Sequence, residues 1–534
     1  MSWSFICISI FICKKEVIKI LGSNFIERLA SRVSNFIFDD YDDKLSNNFV
    51  DLEKQVFDWK NSYRRNFMLK GQLYYQDEHD IIYRKRTAIG DNGEPTEINN
   101  IPNNHIIDNQ YKKMVKQKVN YLFGKPFSYN TDNDDYTEQL SNIFDSKFFK
   151  MIKTSAKQVY NCGIAFVYVY YTDKGKIDFK VFPGYEVYPV WADAEHTMLK
   201  ACVRIYPVTV LENGVNKVIE KVEIYNKDGI HRRMFDMGKF KKDIYSNEEP
   251  DVPYMSFSNG EGGFNWEYIP IIPIKYNDEE ISLLKNVKAL QDGINIMLSD
   301  FENCMQEDTR NTILVLENYD GENLGEFRRN LATYGAVKVR TGEGGGGVKT
   351  LEVKVDVDNY KVIVDIFKKA LIENAMGYDA KDDKLSGNPN QMNLLSMYND
   401  IDLDADDLEI EYQVFMNRLM WFVNAYLYNA GYGDFFDEKI TFTFNRSTLM
   451  NEADIIANCN NSSALLSQET ILAHHPWVLD PKEELERLEA ERNSKQAEYD
   501  NIFSPFKNDD DIIDEEDNDD SNDDNKLDTK SKVG

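Results

Sequence analysis

The stretch ISLLKNVKALQDGINIMLSDFENCM, residues 281–305, decides how this 534-residue chain is read. Ile281, Leu284, Val287, Leu290, Ile294, Met297, Phe301 and Met305 recur every three or four positions, the spacing that lines one face of an α-helix. Glu279 and Glu280 fall in the expected first turn, where negative charge complements the helix dipole. About thirty helical residues at 1.5 Å each would reach about 45 Å, so the helix is expected to act as a strut through a whole layer of structure.

Upstream of the strut the pattern is mixed. Residues 49–63 carry Phe49, Leu52, Val56, Phe57 and Tyr63 near helical spacing, and residues 106–123 read as a second helix stopped by Gly124 and Pro126. From 166 to 225, short β-branched and aromatic runs such as 166–171 and 177–182 alternate with turn residues and read as strands. Residues 221–225 and 230–235 form one more expected hairpin, and the mixed α+β region ends near Lys275.

Downstream, residues 312–316, 336–340 and 348–357 read as strands and 324–334 as a short helix, a small α/β insertion between helices. A helix over 360–375 is followed by a polar segment, 377–391, and then by a long helical pattern over 392–429 whose acidic stretch, 402–407, is expected to bend or break it. A strand at 440–444 and helices at 452–466 and 482–498 complete the ordered part. Residues 508–534 are so rich in Asp, Glu, Asn and Ser that disorder is expected.

Length and composition narrow the function. One hydrophobic core rarely serves more than about 300 residues, so several subdomains are expected. The formal net charge of −29 repels nucleic acid at long range, which argues against tight, sequence-specific DNA binding. No apolar tract of about 20 residues is present, and no membrane role is expected. The six cysteines lie far apart and contain no CxxC pair, which argues against both a disulfide framework and a thiolate zinc site. The apolar residues 5–12, followed by Lys14 and Lys15, lack the flanks of a signal peptide and read as an N-terminal extension or a packing helix.

The motifs that could carry chemistry fail on their spacing. In GEGGGGVKT, residues 342–350, Gly342 and Gly347 stand where a phosphate-binding loop needs them, but Val348 occupies the lysine position and a strand is expected to follow. None of the six histidines sits in an HExxH or a His/Cys cluster, and no GxSxG elbow occurs. No catalytic residue, metal or cofactor is assigned. The segment 377–391 differs: it places Lys381 and Lys384 in a polar connection between two strong helices of an acidic chain. It is either a solvated connection or a loop that touches phosphates weakly and without sequence preference.

Several separated motifs resemble the portal proteins of tailed double-stranded DNA bacteriophages of the siphovirus type. They are Asn103-Asn104-His105-Ile106-Ile107, Tyr121-Leu122-Phe123-Gly124-Lys125-Pro126, Ile272-Pro273-Ile274-Lys275-Tyr276-Asn277, Gln291-Asp292 and Ser299-Asp300, with residues 314–321. They occur in the family's order, and the similarity runs from about residue 49 to about residue 498.

The resemblance implies an α+β portal fold with wing, long-helix stem, small α/β clip and helical crown, assembled as a ring. After an N-terminal extension (1–48) it implies a wing at 49–278, stem helices at 279–308 and 358–376 and a clip at 309–357. A tunnel loop at 377–391, a long wing helix and strand at 392–444, a crown at 445–507 and the acidic tail follow.

The implied assembly is a homo-oligomer, a dodecamer as a rule, around an axial DNA channel whose acidic lining lets a duplex slide. Implied partners are the terminase large subunit, a head-completion or adaptor protein, scaffolding and major capsid proteins, and double-stranded DNA. The implied place is the portal vertex of the virion, after assembly in the host cytoplasm. Lys381, Lys384, Asn388 and Asn390 are then the DNA-facing residues, and Arg328, Arg329, Lys338 and Arg340 the clip's partner contacts. A capsid or scaffolding subunit and a carboxylate-metal nuclease are the competing readings.

Overall fold

A computed structural model describes residues 50–89, 94–97, 101–212, 214–256, 263–307, 312–317, 347–352, 357–379, 391–447, 452–478 and 481–503. The chain divides into two units, Met1–Leu449 and Met450–Gly534.

The first unit opens with two helices, α1 (Val50–Lys60) and α2 (Tyr63–Tyr75), where one was expected. Ser62 makes the break: its hydroxyl accepts the Arg65 N–H at 3.2 Å and caps α2. Leu52 and Val56 of α1 pack on Val203, Ile205, Val222, Ile224 and Phe235 of an antiparallel sheet. Its strands run in the order Lys239–Lys241, Gly229–Asp236, Val215–Asn226, Leu199–Glu212 and Val187–Trp191, with Asp251–Val252 alongside Gly229–Asp236. The expected hairpin is there, with Lys221 opposite Met234 and Tyr225 opposite Ile230.

Helices α3 (Gln110–Phe123), α4 (Asp134–Ile143) and α5 (Ser146–Cys162) follow in chain order after α2. A second antiparallel sheet sets Ile164–Tyr171 between Ile271–Lys275 and Ile177–Pro183. Phe148, Ile152 and Val159 of α5 and Phe166 and Val167 of the central strand belong to the main core. Val115, Val119 and Leu122 of α3 lie in the same core. Burial at this scale is the dominant favourable contribution to folding.

Helix α6 (Leu284–Glu307) is the expected strut, 24 residues long and about 36 Å at 1.5 Å per residue. It starts later than expected. Glu280, placed by the sequence in the first helical turn, sits before the helix at φ 54° and is buried. Its carboxylate lies 2.6 Å from His196 Nδ1 and pairs with Arg64, so a tertiary ion cluster wins over helix-dipole placement.

Helix α7 (Val357–Asn374) packs antiparallel on α6: Phe301 meets Tyr360 at 5.3 Å between ring centroids. Farther along, a Cβ at Gly293 would stand 2.9 Å from the Phe367 ring, so glycine lets the two helices approach. At the Phe301 end the chain enters a hairpin, Thr312–Glu317 against Gly347–Glu352. Lys349 and Thr350 therefore lie in a strand, as the sequence led us to expect. Residues 318–346, with the expected helix 324–334 and strand 336–340, lie outside the described residues.

Helix α8 (Gln391–Asn429) runs unbroken through the acidic stretch at which a bend or break was expected. Arg446 reaches Asp402 at 3.2 Å and Glu409 at 2.8 Å and also pairs with Asp406, while Lys118 takes Asp404. Ion pairing removes the repulsion that made the stretch a poor helix on paper. Thr441–Thr443 pairs with Ser128–Asn130.

The second unit holds α9 (Glu452–Ser462), α10 (Gln468–His474) and α11 (Pro481–Phe503). Ser467 caps α10, His474 ends it, and Arg492 of α11 donates to Gln468 at 3.2 Å. Among the described residues no helix is long and apolar enough to cross a membrane.

Candidate functional site at the root of segment 377–391

The buried face of α6 is polar at every fourth position. Gln291, Asn295, Ser299 and Asn303 are all buried, and each accepts a backbone N–H, Gln291 from the first turn of α3 and the other three from the extended chain before it. Tyr111 N–H donates to Gln291 at 2.9 Å, Asp108 N–H to Asn295 at 3.1 Å, Ile106 N–H to Ser299 at 2.9 Å and Asn104 N–H to Asn303 at 2.8 Å. The helix thus supplies the partners a neighbouring strand would, and residues 106–109 stay extended where the sequence suggested helix. The motifs around Asn104, Gln291 and Ser299 meet here.

Asn295 also donates to His79 Nδ1 at 2.8 Å, and His79 Nε2 lies 3.0 Å from the Tyr74 carbonyl oxygen. That pattern fits a neutral imidazole with its proton on Nε2. Burial pushes the His79 pKa below its ordinary value, against the attraction of Asp292, Asp77 and Asp80.

At the opposite end of the α6–α7 column, helix α7 closes on Met376 at φ 51°, with Gly377 N–H bonded to the Ile372 carbonyl at 3.0 Å and Met376 N–H to Glu373 at 3.0 Å. The chain is then pinned to α3. Gln117 donates to the Tyr378 carbonyl at 2.8 Å and accepts the Tyr378 N–H at 3.2 Å. A Cβ at Gly377 would come within 2.7 Å of Met114 Sδ, so only glycine passes there.

Beneath this root lies a buried charge pair. Lys118 Nζ is 2.8 Å from Asp404 and donates to the Met376 carbonyl at 3.1 Å. The hydroxyls of Tyr160 and Tyr276 donate to the same carboxylate at 2.9 and 2.6 Å. Burial lowers the Lys118 pKa and Asp404 opposes it. The Tyr378 ring meets Tyr398 of α8 at 4.8 Å, and Tyr398 stacks on Tyr121 at 5.6 Å. The Tyr378 end of the segment is therefore held by one cluster drawn from α3, α5, α7 and α8.

Of the residues singled out by sequence, Lys381, Lys384, Asn388 and Asn390 lie outside the described residues, as do Arg328, Arg329, Lys338 and Arg340. Gln117, Lys118, Tyr378, Tyr398 and Asp404 were missed. A signal existed for one of them: Lys118 interrupts the apolar stripe Tyr111, Met114, Val115, Val119, Leu122, a position lysine takes only when paired. No group of three or more His, Cys, Asp or Glu side chains fit to hold a metal occurs among the described residues.

The site is thus the root of a helical column with a hairpin at its other end. Residues 58–498 match the family described as phage portal protein, SPP1 Gp6-like, and the chain belongs to that family. The portal protein of Bacillus phage SPP1 is 29% identical over 448 residues, covering 83% of this chain and 87% of its own. That of Clostridium phage phiCD119 is 25% identical over 458 residues, covering 81% and 94%. A chain from the neck of an empty GTA particle aligns at a TM-score of 0.36 and 13% identity, over 68% of this chain and 88% of that one. The protein's work is that of a phage portal, in virion assembly and genome packaging.

Proposed function

We propose that this portal protein closes into a homo-oligomeric ring, a dodecamer, at one capsid vertex, with α6 and α7 as its stem. The hairpin Thr312–Glu317/Gly347–Glu352 belongs to a clip at the outer end, and segment 377–391 is the loop that rims the channel. The wing comprises 49–278 with the long helix and strand of 392–444, and residues 445–507 form the crown. Lys381, Lys384, Asn388 and Asn390 touch duplex phosphates in passing. Arg328, Arg329, Lys338 and Arg340 face the terminase large subunit and later a head-completion protein, while scaffolding and major capsid proteins surround the ring as it assembles in the host cytoplasm. The protein carries no enzymatic step, since a partner motor hydrolyses the nucleotide.

The observation that supports this reading is the pinned root. A segment gripped at Tyr378 by Gln117, and beneath by Lys118, is anchored to the column at its root. Such anchoring suits a loop that brushes a sliding polyanion. Deleting residues 381–390 should leave the number of subunits per ring unchanged and abolish DNA packaging in an assembly assay; full packaging would remove the loop's role.

A further inference from the structure

Nine aromatic side chains are exposed among the described residues, and five of them fall in two short stretches: Phe264 and Tyr268 in one, Tyr428, Tyr432 and Phe436 in the other. Trp421 of α8 joins the two. Its ring meets Tyr268 edge to face at 4.8 Å and Phe436 at 6.5 Å between centroids. Behind it, at 6.2 and 4.9 Å, lie Trp266 and Phe422 of the main core. Tyr268 and Phe436 are each 45% exposed, so the core runs out to the surface as an aromatic patch on a rigid backing. Apolar side chains scattered singly over a surface are ordinary, whereas a contiguous group marks a contact surface.

The patch stands apart from the site at Tyr378, because Trp421 lies about 45 Å along α8 from Gln391 at 1.5 Å per residue. Its rim is acidic. Glu267, Asp434 and Asp437 are exposed and adjoin Tyr268 and Phe436 in sequence, and the Asp434 carboxylate accepts the Phe436 N–H at 3.2 Å. Lys439 opposes them, while Arg418, one turn before Trp421, is drawn to Glu411. Carboxylates around aromatic faces repel nucleic acid and do not match a second copy of this chain, whose net charge is −29. They suit arginine or lysine, cations that both a carboxylate and a ring face attract. Aromatic anchors inside a polar rim are also where binding energy concentrates at protein interfaces.

We propose that Tyr268, Trp421 and Phe436 form a docking patch for a basic, apolar segment of the major capsid protein. The choice of partner rests on the portal reading given above, in which that protein surrounds the ring. Apolar side chains of the segment cover Tyr268 and Phe436, and its cations meet Glu267, Asp434 and Asp437 at the rim.

The test measures the affinity of full-length rings for the purified major capsid protein of the same phage over a range of salt concentrations. Tyr268→Ser/Phe436→Ser should keep the number of subunits per ring and the melting temperature and bind about tenfold more weakly or worse. Glu267→Lys/Asp437→Lys should bind more weakly than the parent at low salt and approach it at high salt. If the serine variant melts early, the lysine variant decides alone. Unchanged affinity in both variants, or no binding by the parent, overturns the patch. So does a weakening confined to the lysine variant while a folded serine variant binds fully, which is steering without docking. Loss of subunits from the ring would place the patch between copies and overturn it as well. Capture of the scaffolding protein in place of the capsid protein, lost in the same variants, would give the patch to another partner and sink the proposal. If the parent forms no ring, the channel reading fails, and the capsid-protein affinities still judge the patch.

Discussion

Lys118 of α3 and Asp404 of α8 form an ion pair of 2.8 Å with side chains 0% and 4% exposed, and the same ammonium donates to the Met376 carbonyl that closes α7. Three helices are joined by one charge. Replacing Lys118 by Met leaves a buried carboxylate with only the Tyr160 and Tyr276 hydroxyls. The expected cost is about 3–5 kcal/mol in denaturant unfolding, partly recovered when Asp404→Asn is added. A loss under about 1 kcal/mol would show that water reaches the pair.

The polar ladder on α6 should be equally intolerant of apolar substitution. Asn295→Leu matches its size but orphans the Asp108 N–H and His79 Nδ1 and takes one of two acceptors from the Gln291 amide, which keeps the Asp108 carbonyl. Each buried group left unsatisfied costs about 1–3 kcal/mol, so the variant should unfold at clearly lower denaturant concentration. Val287→Leu, an apolar change on the same helix, should cost less.

Gln117→Ala should act locally. Its two hydrogen bonds to Tyr378 contribute about 0.5–1.5 kcal/mol each, small beside the stability of the column. Hydrogen exchange at the Tyr378 amide should quicken while protection within α3 and α6 stays unchanged. Uniform quickening would mean that Gln117 supports the whole fold.

His79 sets a pH dependence. Its folded pKa lies below the ordinary 6.5, so the folded state takes up the proton less readily than the unfolded chain. Its contribution is present in full above pH 6.5 and is lost as the pH falls from there through the lowered folded value. The melting temperature should decline over that window, and His79→Gln should flatten the decline. An unchanged slope in the variant would assign it to other groups.

Much of this was legible in the sequence because periodicity reports burial directly. The strut at 281–305, the strands from 166 to 235 and the long helix near 392–429 all appear close to their expected bounds. Apart from the local Ser62 cap that splits α1 from α2, the misses share a cause: a side chain bonded to something distant in sequence. Glu280 left the helix for Arg64 and His196, residues 106–109 stayed extended on the α6 ladder, and Asp402, Asp404 and Asp406 were paired by Arg446 and Lys118. The root of segment 377–391 was invisible for the same reason, since Gln117 and Tyr378 stand 261 positions apart. Its one sequence clue was a lysine in an apolar stripe.

The central claim is a closed ring around a channel, and electron microscopy of the purified full-length protein, with its mass from light scattering, tests it. Head-to-tail interfaces that close are required. Closed rings of about a dozen copies with a central hole are expected, and a stable compact monomer, or open rods, would contradict the account.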